Sequence, residues 1–331
     1  MRVHFVNVGY GEAILIEKDE FYLLVDGGTN RDEEYEAPGA VRITDYLRRI
    51  GVSKIDMIIA THIHDDHIGG LPEVIRSFSA DEILINLKPP VLAQDMVDTF
   101  ESVRKGNLSG NLFKRALSSY GEMVSLCKEK GIPIQQIDVD AGAVSPVSGL
   151  ELEFLTPGRK LQDEMNEAYQ YLYAEQDTEK AEALFYNIDK RENSNSIALR
   201  VKAGRAAVLL SGDKVDGWDA ILEKHTDHLD CGILKVTHHG QIDGLPEAMI
   251  KVARPDHFVI CSSQDRRFNS AHPQVIERIH TYLRENGKQG GVYITGSLAD
   301  AENADSALQK PCAVVFDCRE DTGEITVGYH R

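Results

Sequence analysis

Residues 55–60, an almost wholly apolar run (IDMIIA), feed directly into the decapeptide THIHDDHIGG at 61–70. A short apolar run without alternation is the pattern of a strand covered on both faces, which demands a sheet packed between other layers. The decapeptide then leaves the strand as a loop, where polar groups are held on a rigid scaffold. It gathers His62, His64, Asp65, Asp66 and His67 within six residues. In an extended His-x-His both imidazoles face the same side. Asp66 and His67 lie just beyond, where a turn can aim them at a second centre. Neutral imidazole and carboxylate suit Zn²⁺ and, with more oxygen, Mn²⁺ or Fe²⁺. Packing gives His and Asp no reason to crowd the exit of a buried strand.

Around this centre the chain reads as alternating strands and helices. Residues 3–8, 13–17 and 21–25 form a strand meander, helical spacing follows at Val41, Tyr46, Leu47 and Ile50, and a helix over 71–78 leads to a strand over 82–86. Further strands are predicted at 134–139, 151–155, 197–202, 206–210, 231–237, 257–261, 292–295, 313–316 and 325–329, with helices at 215–224 and 273–286. The last helix opens on Pro273, which suits a first turn. Two helical insertions interrupt the strands. One covers about 94–130, with a flexible piece at 106–110, and an acidic one covers about 159–190. The acidic one reads as a lid, a rim, a partner surface or a solvated excursion. Two strand-rich halves with helices between strands predict an α/β protein, an αββα sandwich of two mixed β-sheets with helices outside, in a single domain over 1–331.

Charge limits the partners. With 36 Lys plus Arg against 53 Asp plus Glu, the net charge of -17 repels nucleic acid and anionic membrane at long range, so a polyanionic substrate needs a locally positive site. No stretch of about 18 consecutive apolar residues occurs, and the first residues, MRVHFVNVGYGEAILIEK, lack a secretion pattern, so a cytoplasmic location and no membrane partner are expected. The five cysteines are scattered without a CxxC pair and read as buried thiols. His4, His225, His228, His257, His280 and His330 have no motif around them and read as surface or packing residues.

The His-x-His-x-Asp-His segment after an apolar strand resembles the signature of the metallo-β-lactamase fold. More narrowly, the chain resembles the soluble hydrolase domain of ComEC-type competence proteins and their free-standing relatives. The resemblance is carried by NVGYGEAILI (7–16), LLVDGG (23–28), THIHDDHIGG (61–70), NSNSIALRV (193–201), VLLSGD (208–213), LKVTHHG (234–240) and, more loosely, FNSAHP (268–273), in family order. It implies two divalent ions, Zn²⁺ or Mn²⁺, one held by His62 and His64, the other by Asp66 and His67, with Asp213 bridging. The final imidazole comes from His238 or His239. In relatives the second of the pair is the expected ligand and the first faces substrate. Asp26 of VDGG is expected to support the histidine loop by hydrogen bonding. His272 matches a His-Pro element that contacts a phosphate or leaving group, or it simply starts a helix.

One departure stands out. Many members of the superfamily place a third histidine at the first metal before the strand leading to Asp213, where this chain has RENSNSIALRV. Asn193 or Asn195 can fill that gap as a weak oxygen ligand, and ComEC-like sequences commonly carry such an Asn/Ser run. Lys235 lies near the centre in sequence and is a candidate substrate contact. Two divalent cations, two carboxylates and a bridging hydroxide leave a net positive centre, which outweighs the global charge over a few Å.

The resemblance implies dinuclear-metal-dependent hydrolysis of a phosphodiester, with Asp66 orienting a metal-bridging hydroxide and His238 or His272 assisting the leaving group. A nuclease acting on DNA or RNA is the preferred form, and a small nucleotide or phosphoester fits the acidity as well. Two alternatives are a hydrolase of a small non-phosphate ester, lactone or lactam, and a catalytically weak subunit of a multi-protein system such as phage defence. The last would bind a protein partner or a second copy through the helical insertions.

Overall fold

The structure is a computed structural model that describes residues 1–88, 108–224, 229–298 and 310–331. The expected helical residues 94–107, together with His225 and His228, lie outside the described residues. Strands β1 (Arg2–Val6), β2 (Ile14–Lys18), β3 (Phe21–Val25), β4 (Lys54–Ala60), β5 (Ser79–Ile85) and β6 (Ile134–Gln136) join β14 (Ala313–Cys318) and β15 (Ile325–His330) in one sheet, ordered β15-β14-β1-β2-β3-β4-β5-β6. Strands β7 (Ala143–Val147), β8 (Leu150–Thr156), β9 (Ala198–Ala203), β10 (Ala206–Leu210), β11 (Ile233–Lys235), β12 (His257–Ile260) and β13 (Val292–Ile294) form the second, ordered β13-β12-β11-β10-β9-β8-β7. Both sheets are mixed, parallel from β3 to β6 and from β10 to β13 and antiparallel elsewhere.

Alternation along the strands builds the layers. In β1, Val3 and Phe5 face the inter-sheet core with Leu199, Val201, Val208 and Val259, whereas Val6 faces the opposite side. Strand β4 is buried on both faces, as its sequence requires: Met57 and Ile59 enter the inter-sheet core, and Ile55, Ile58 and Ala60 meet the outer helices. Each such aliphatic side chain contributes about 1.5–3 kcal/mol of burial. Helices α1 (Ile43–Arg49) and α3 (Leu71–Ser77) cover the first sheet. They are joined there by α4 (Leu108–Lys130), α5 (Arg159–Ala174) and α6 (Thr178–Glu192). Helices α7 (Trp218–Lys224), α8 (Glu247–Ala253) and α9 (Pro273–Glu285) cover the second. The architecture is the expected αββα sandwich.

The acidic insertion does not project as a solvated excursion but packs with the other one. Phe113, Ala116, Leu117, Tyr120 and Met123 of α4 are buried in the same cluster as Met165, Tyr169 and Leu172 of α5 and Phe185 and Ile188 of α6. Of the flexible piece expected at 106–110, residues 108–110 already belong to α4. The short strand β7 and helix α8 escaped the sequence reading, β7 because its residues are half-buried or exposed and carry no apolar run.

The topology gathers loops at one edge. Val25, Ala60, Leu210, Lys235 and Ile260 end parallel strands, and the residues that follow them leave both sheets on the same side. Crevices at the carboxyl ends of parallel strands are the usual place for ligand sites in α/β sheets. A hydrogen bond from Ile197 N to Thr61 O (2.9 Å) stitches the two sheets together there.

Candidate metal centre

Strand β4 delivers Thr61 and His62, and the chain then turns sharply. The decapeptide is not wholly loop as expected, because Asp65–Ile68 forms a one-turn helix (α2) preceded by His64 in extended conformation. This turn separates the side chains. His67 points inward and is fully buried, while Asp65 points away, accepting from Thr29 Oγ1 (2.7 Å), Arg31 Nε (3.1 Å) and Arg115 Nε (3.4 Å).

Four predicted ligands converge. Asp66, His67, Asp213 and His239 each offer one donor atom, all within 4.8 Å of one another. His67 Nε2 lies 3.2 Å from His239 Nε2 and 3.4 Å from Asp213 Oδ2. His239 Nε2 lies 3.0 Å from Asp66 Oδ2 and 3.2 Å from Asp213 Oδ2. The outer ring nitrogens show what the inner ones carry. His67 Nδ1 donates to Asp26 Oδ2 (2.7 Å) and His239 Nδ1 donates to the Cys261 carbonyl (2.8 Å). Once the Nε2 proton is given up, each ring presents an Nε2 lone pair to the centre. Two lone pairs and two carboxylates facing one point repel unless a cation sits among them, so the donor set fits a divalent metal. The titration of these groups reflects the same field. Burial alone would lower His67 and His239, but the Asp213 and Asp66 carboxylates override it, lifting His67 well above the ordinary value and His239 to about 9. Conversely, burial would raise Asp66 and Asp213, yet the facing histidines hold both below the usual carboxylate range.

The pair expected at the other metal also meets, with His62 Nε2 3.0 Å from His64 Nδ1. His62 is held neutral by burial and by the neighbouring His67 and His64. His64 Nε2 faces outward, 3.3 Å from Asp189 Oδ1 on α6. Asn195 is fully buried and neither of its amide atoms has a partner, and Asn193 Oδ1 is also unpartnered. Its segment is joined to the metal loop by the Ile197–Thr61 bond. An orphaned buried amide costs about 1–3 kcal/mol, so the unpartnered Asn195 amide, in the segment tied to the metal loop, is a candidate oxygen donor for a cation.

Asp26 takes the supporting position expected of it. In a left-handed conformation (φ 58°), it accepts from Thr61 N (2.8 Å), Thr61 Oγ1 (2.7 Å) and His67 Nδ1, locking loop and ring together. Of the HHG pair, His239 enters the cluster. His238 stays partly exposed, with Nδ1 3.0 Å from Asp243 Oδ1 and Nε2 near Asn193 Nδ2 (3.2 Å) and Gln241 Nε2 (3.1 Å).

One expectation changes, and one open alternative is narrowed. Lys235, read as a substrate contact, has no exposed surface. It pairs with buried Glu12, donates to Gly212 O (2.7 Å) and lies 3.5 Å from Asp213 Oδ1, so it braces Asp213 from within the core. His272 is engaged as the cap of α9, its Nδ1 accepting from Gln274 N (3.2 Å), and the structure does not bring it into the cluster.

Glu12 and Asp189 escaped the sequence reading. Glu12 had a signal, since it lies in the quoted NVGYGEAILI segment, and its backbone ties Asp66 O to Gly28 N. Asp189 had none, being one acid among many in an acidic helix.

Residues 6–149 match the sequence model of the Metallo-beta-lactamase superfamily. Recombination protein 2 of Haemophilus influenzae, a ComEC-like competence protein, is 23% identical over 283 residues, covering 85% of this chain and 26% of that protein. Ribonuclease Z of Metallosphaera sedula is 27% identical over 111 residues, covering 30% of this chain and 35% of that protein. The alignments thus span about a quarter and about a third of these relatives' lengths. Among solved structures, the metallo hydrolase Igni18 of Ignicoccus hospitalis KIN4/I superposes with a TM-score of 0.51 at 15% identity, over 96% of this chain and 100% of that one, a likeness of fold.

Proposed function

The chain carries a metallo-β-lactamase superfamily domain, and on that premise we propose that it is a dinuclear-metal-dependent hydrolase of phosphodiesters. The observation that carries the reading is the convergence of the His67 and His239 Nε2 lone pairs with Asp66 and Asp213 on one point. Ribonuclease Z, a relative named for cleaving a phosphodiester polymer, supports the substrate class. The excess of positive charge at a loaded centre supports it as well, since it supplies what the acidic surface lacks.

A pair of Zn²⁺ or Mn²⁺ ions supplies Lewis acidity toward a phosphate and water acidic enough to attack at neutral pH. His67, Asp66 and His239 would hold one ion, His62, His64 and the Asn195 amide the other, and Asp213 both. Asp26 and the Cys261 carbonyl hold the Nδ1–H of His67 and His239 on the outer side, so a cation binding at Nε2 displaces only the protons that the facing carboxylates favour there. Lys235 and Glu12 hold Asp213 in place from the core side. His238, partly exposed and next to His239 in the chain, is our candidate for meeting the substrate. Its Nδ1 is turned to Asp243 and its Nε2 to the Asn193 and Gln241 amides, so a role at the departing oxygen requires a substrate to displace those amides from a protonated Nε2.

No helix among the described residues is long and apolar enough to cross a membrane. The test is an assay of protein loaded with Mn²⁺ or Zn²⁺ on bis-p-nitrophenyl phosphate, single-stranded DNA, RNA and cyclic dinucleotides, with nitrocefin and an acyl-homoserine lactone as contrasts. Metal-dependent cleavage of at least one phosphodiester is expected. Opening of the lactam or lactone with every phosphodiester spared would overturn the reading.

A further inference from the structure

Near the metal centre lies a segment whose backbone is unusual for its residue types. Arg266 (φ 53°), Phe268 (56°), Asn269 (59°) and Ala271 (44°) are all left-handed, four non-glycine residues within six. L-residues adopt this region rarely, and a run of them persists only when surrounding contacts impose it. The contacts are present. Ser262 Oγ and Ser270 Oγ share a hydrogen bond (2.6 Å), and the Arg267 guanidinium pairs with Glu34 and Asp265. Ala271 N donates to His239 O (2.9 Å) and His272 N to Gly240 O (2.8 Å). The segment is thereby pinned to the very turn that carries the His239 ligand.

What this strained segment holds out is an aromatic ring. Phe268 is 40% exposed, so packing stability does not explain its placement. Its centroid lies 4.8 Å from that of Tyr10 at 61°, and the Tyr10 ring lies 4.6 Å from that of His239. Phe268 is therefore two ring contacts from a metal-facing imidazole. It meets Tyr10 at a steep angle rather than in a stack, and Phe268 keeps 40% of its surface exposed while Tyr10 is buried. Arg267, the cation next to it, is already paired with two carboxylates, so what stands beside Tyr10 and His239 in this segment is the Phe268 ring.

We propose that Phe268 is a stacking platform for the nucleobase adjacent to the scissile phosphate, which makes the substrate a nucleotidyl phosphodiester. The assignment rests on the phosphodiester reading above and narrows it. A platform for a single base also suits a surface of net charge -17, which disfavours tracking a long polyanionic backbone.

The experiment is calorimetric binding of AMP, UMP and ribose 5-phosphate to Mn²⁺-loaded protein, in wild type and in Phe268→Leu and Phe268→Trp variants whose melting temperatures are checked. Ribose 5-phosphate carries the sugar and the phosphate without the base. Wild type should bind AMP roughly tenfold more tightly than ribose 5-phosphate. Phe268→Leu, which keeps apolar volume without a π-face, should bring that ratio below about threefold, and Phe268→Trp should retain or increase it. Equal affinities for AMP and ribose 5-phosphate in wild type, or an unchanged ratio in Phe268→Leu, would overturn the platform. A Phe268-dependent AMP advantage in a protein that cleaves no phosphodiester would instead sink the hydrolase reading and leave the base site standing. Cleavage without any base advantage would do the reverse.

Discussion

Asp189 places its Oδ1 3.3 Å from His64 Nε2, so a helix inserted between strands supplies the carboxylate that faces a histidine of the metal loop. The other carboxylate oxygen accepts from Ser109 Oγ (2.9 Å), which draws α4 and α6 together over the same ring. Phe113 of α4 stands against the His64 ring at 5.9 Å. Burial would lower His64, but the facing Asp189 carboxylate raises it, so Asp189 meets the Nε2 side of the ring while Nδ1 is turned toward His62. The insertions thus shape one half of the centre.

Asp189→Ala is expected to weaken metal binding at the His62/His64 half by about 10–100-fold while the Asp66/His67/Asp213/His239 half still fills. Titration of chelated protein with Mn²⁺ or Zn²⁺, followed by calorimetry and elemental analysis, should fall from two tight equivalents to one. Two undiminished tight equivalents would mean that Asp189 does not orient His64.

Joint replacement of Asp66 and His67 by Ala removes two of four converging donors. Hydrolysis should drop by at least about 100-fold, beyond the roughly 10–100-fold typical when only an outer partner of a metal ligand is lost. Bound metal at this half should disappear with it. Full phosphodiesterase activity in the double variant would refute the ligand assignment.

Asp26 acts on His67 by orientation. Asp26→Ala removes three hydrogen bonds at once and should cost about 10–100-fold in metal affinity, while Asp26→Asn, which keeps the shape and the left-handed turn, should cost less. Equal losses in the two variants would show that charge, not hydrogen-bond geometry, is what the site needs.

Lys235→Met leaves Glu12 and Asp213 without their buried counter-charge and should destabilise the fold by about 3–5 kcal/mol in denaturant titration. Adding Glu12→Gln should restore more than half of that loss, because the stranded charge is removed. A variant of wild-type stability that binds substrate poorly would return Lys235 to the substrate role suggested by its position in sequence.

Much of this protein is legible before folding. The double burial of β4, the meander of β1 to β3 and the order of segments from NVGYGEAILI to LKVTHHG announce two sheets and a ligand-bearing strand exit, since strand periodicity and strand-end chemistry are local properties. Asp26 was legible for the same reason, as a turn residue inside a motif. Lys235 was not. A lysine near a metal motif reads as a substrate cation until its side chain is seen to be enclosed by Glu12, Gly212 and Asp213 from three separate segments. The choice between His238 and His239 hinges on two left-handed residues that swing adjacent side chains apart, and Asp65 parts from Asp66 through a single helical turn.

The sequence by itself determined the kinds of donor atom, their order along the chain and the strands that carry them, because these follow from residue chemistry and nearest-neighbour periodicity. Only the tertiary structure decided which lone pairs meet. It set His67 against His239 across 172 positions, aimed Asp189 at His64 and set Phe268 beside Tyr10. Such meetings depend on how two sheets and two inserted helices pack, and packing is a property of the whole chain that no local stretch contains.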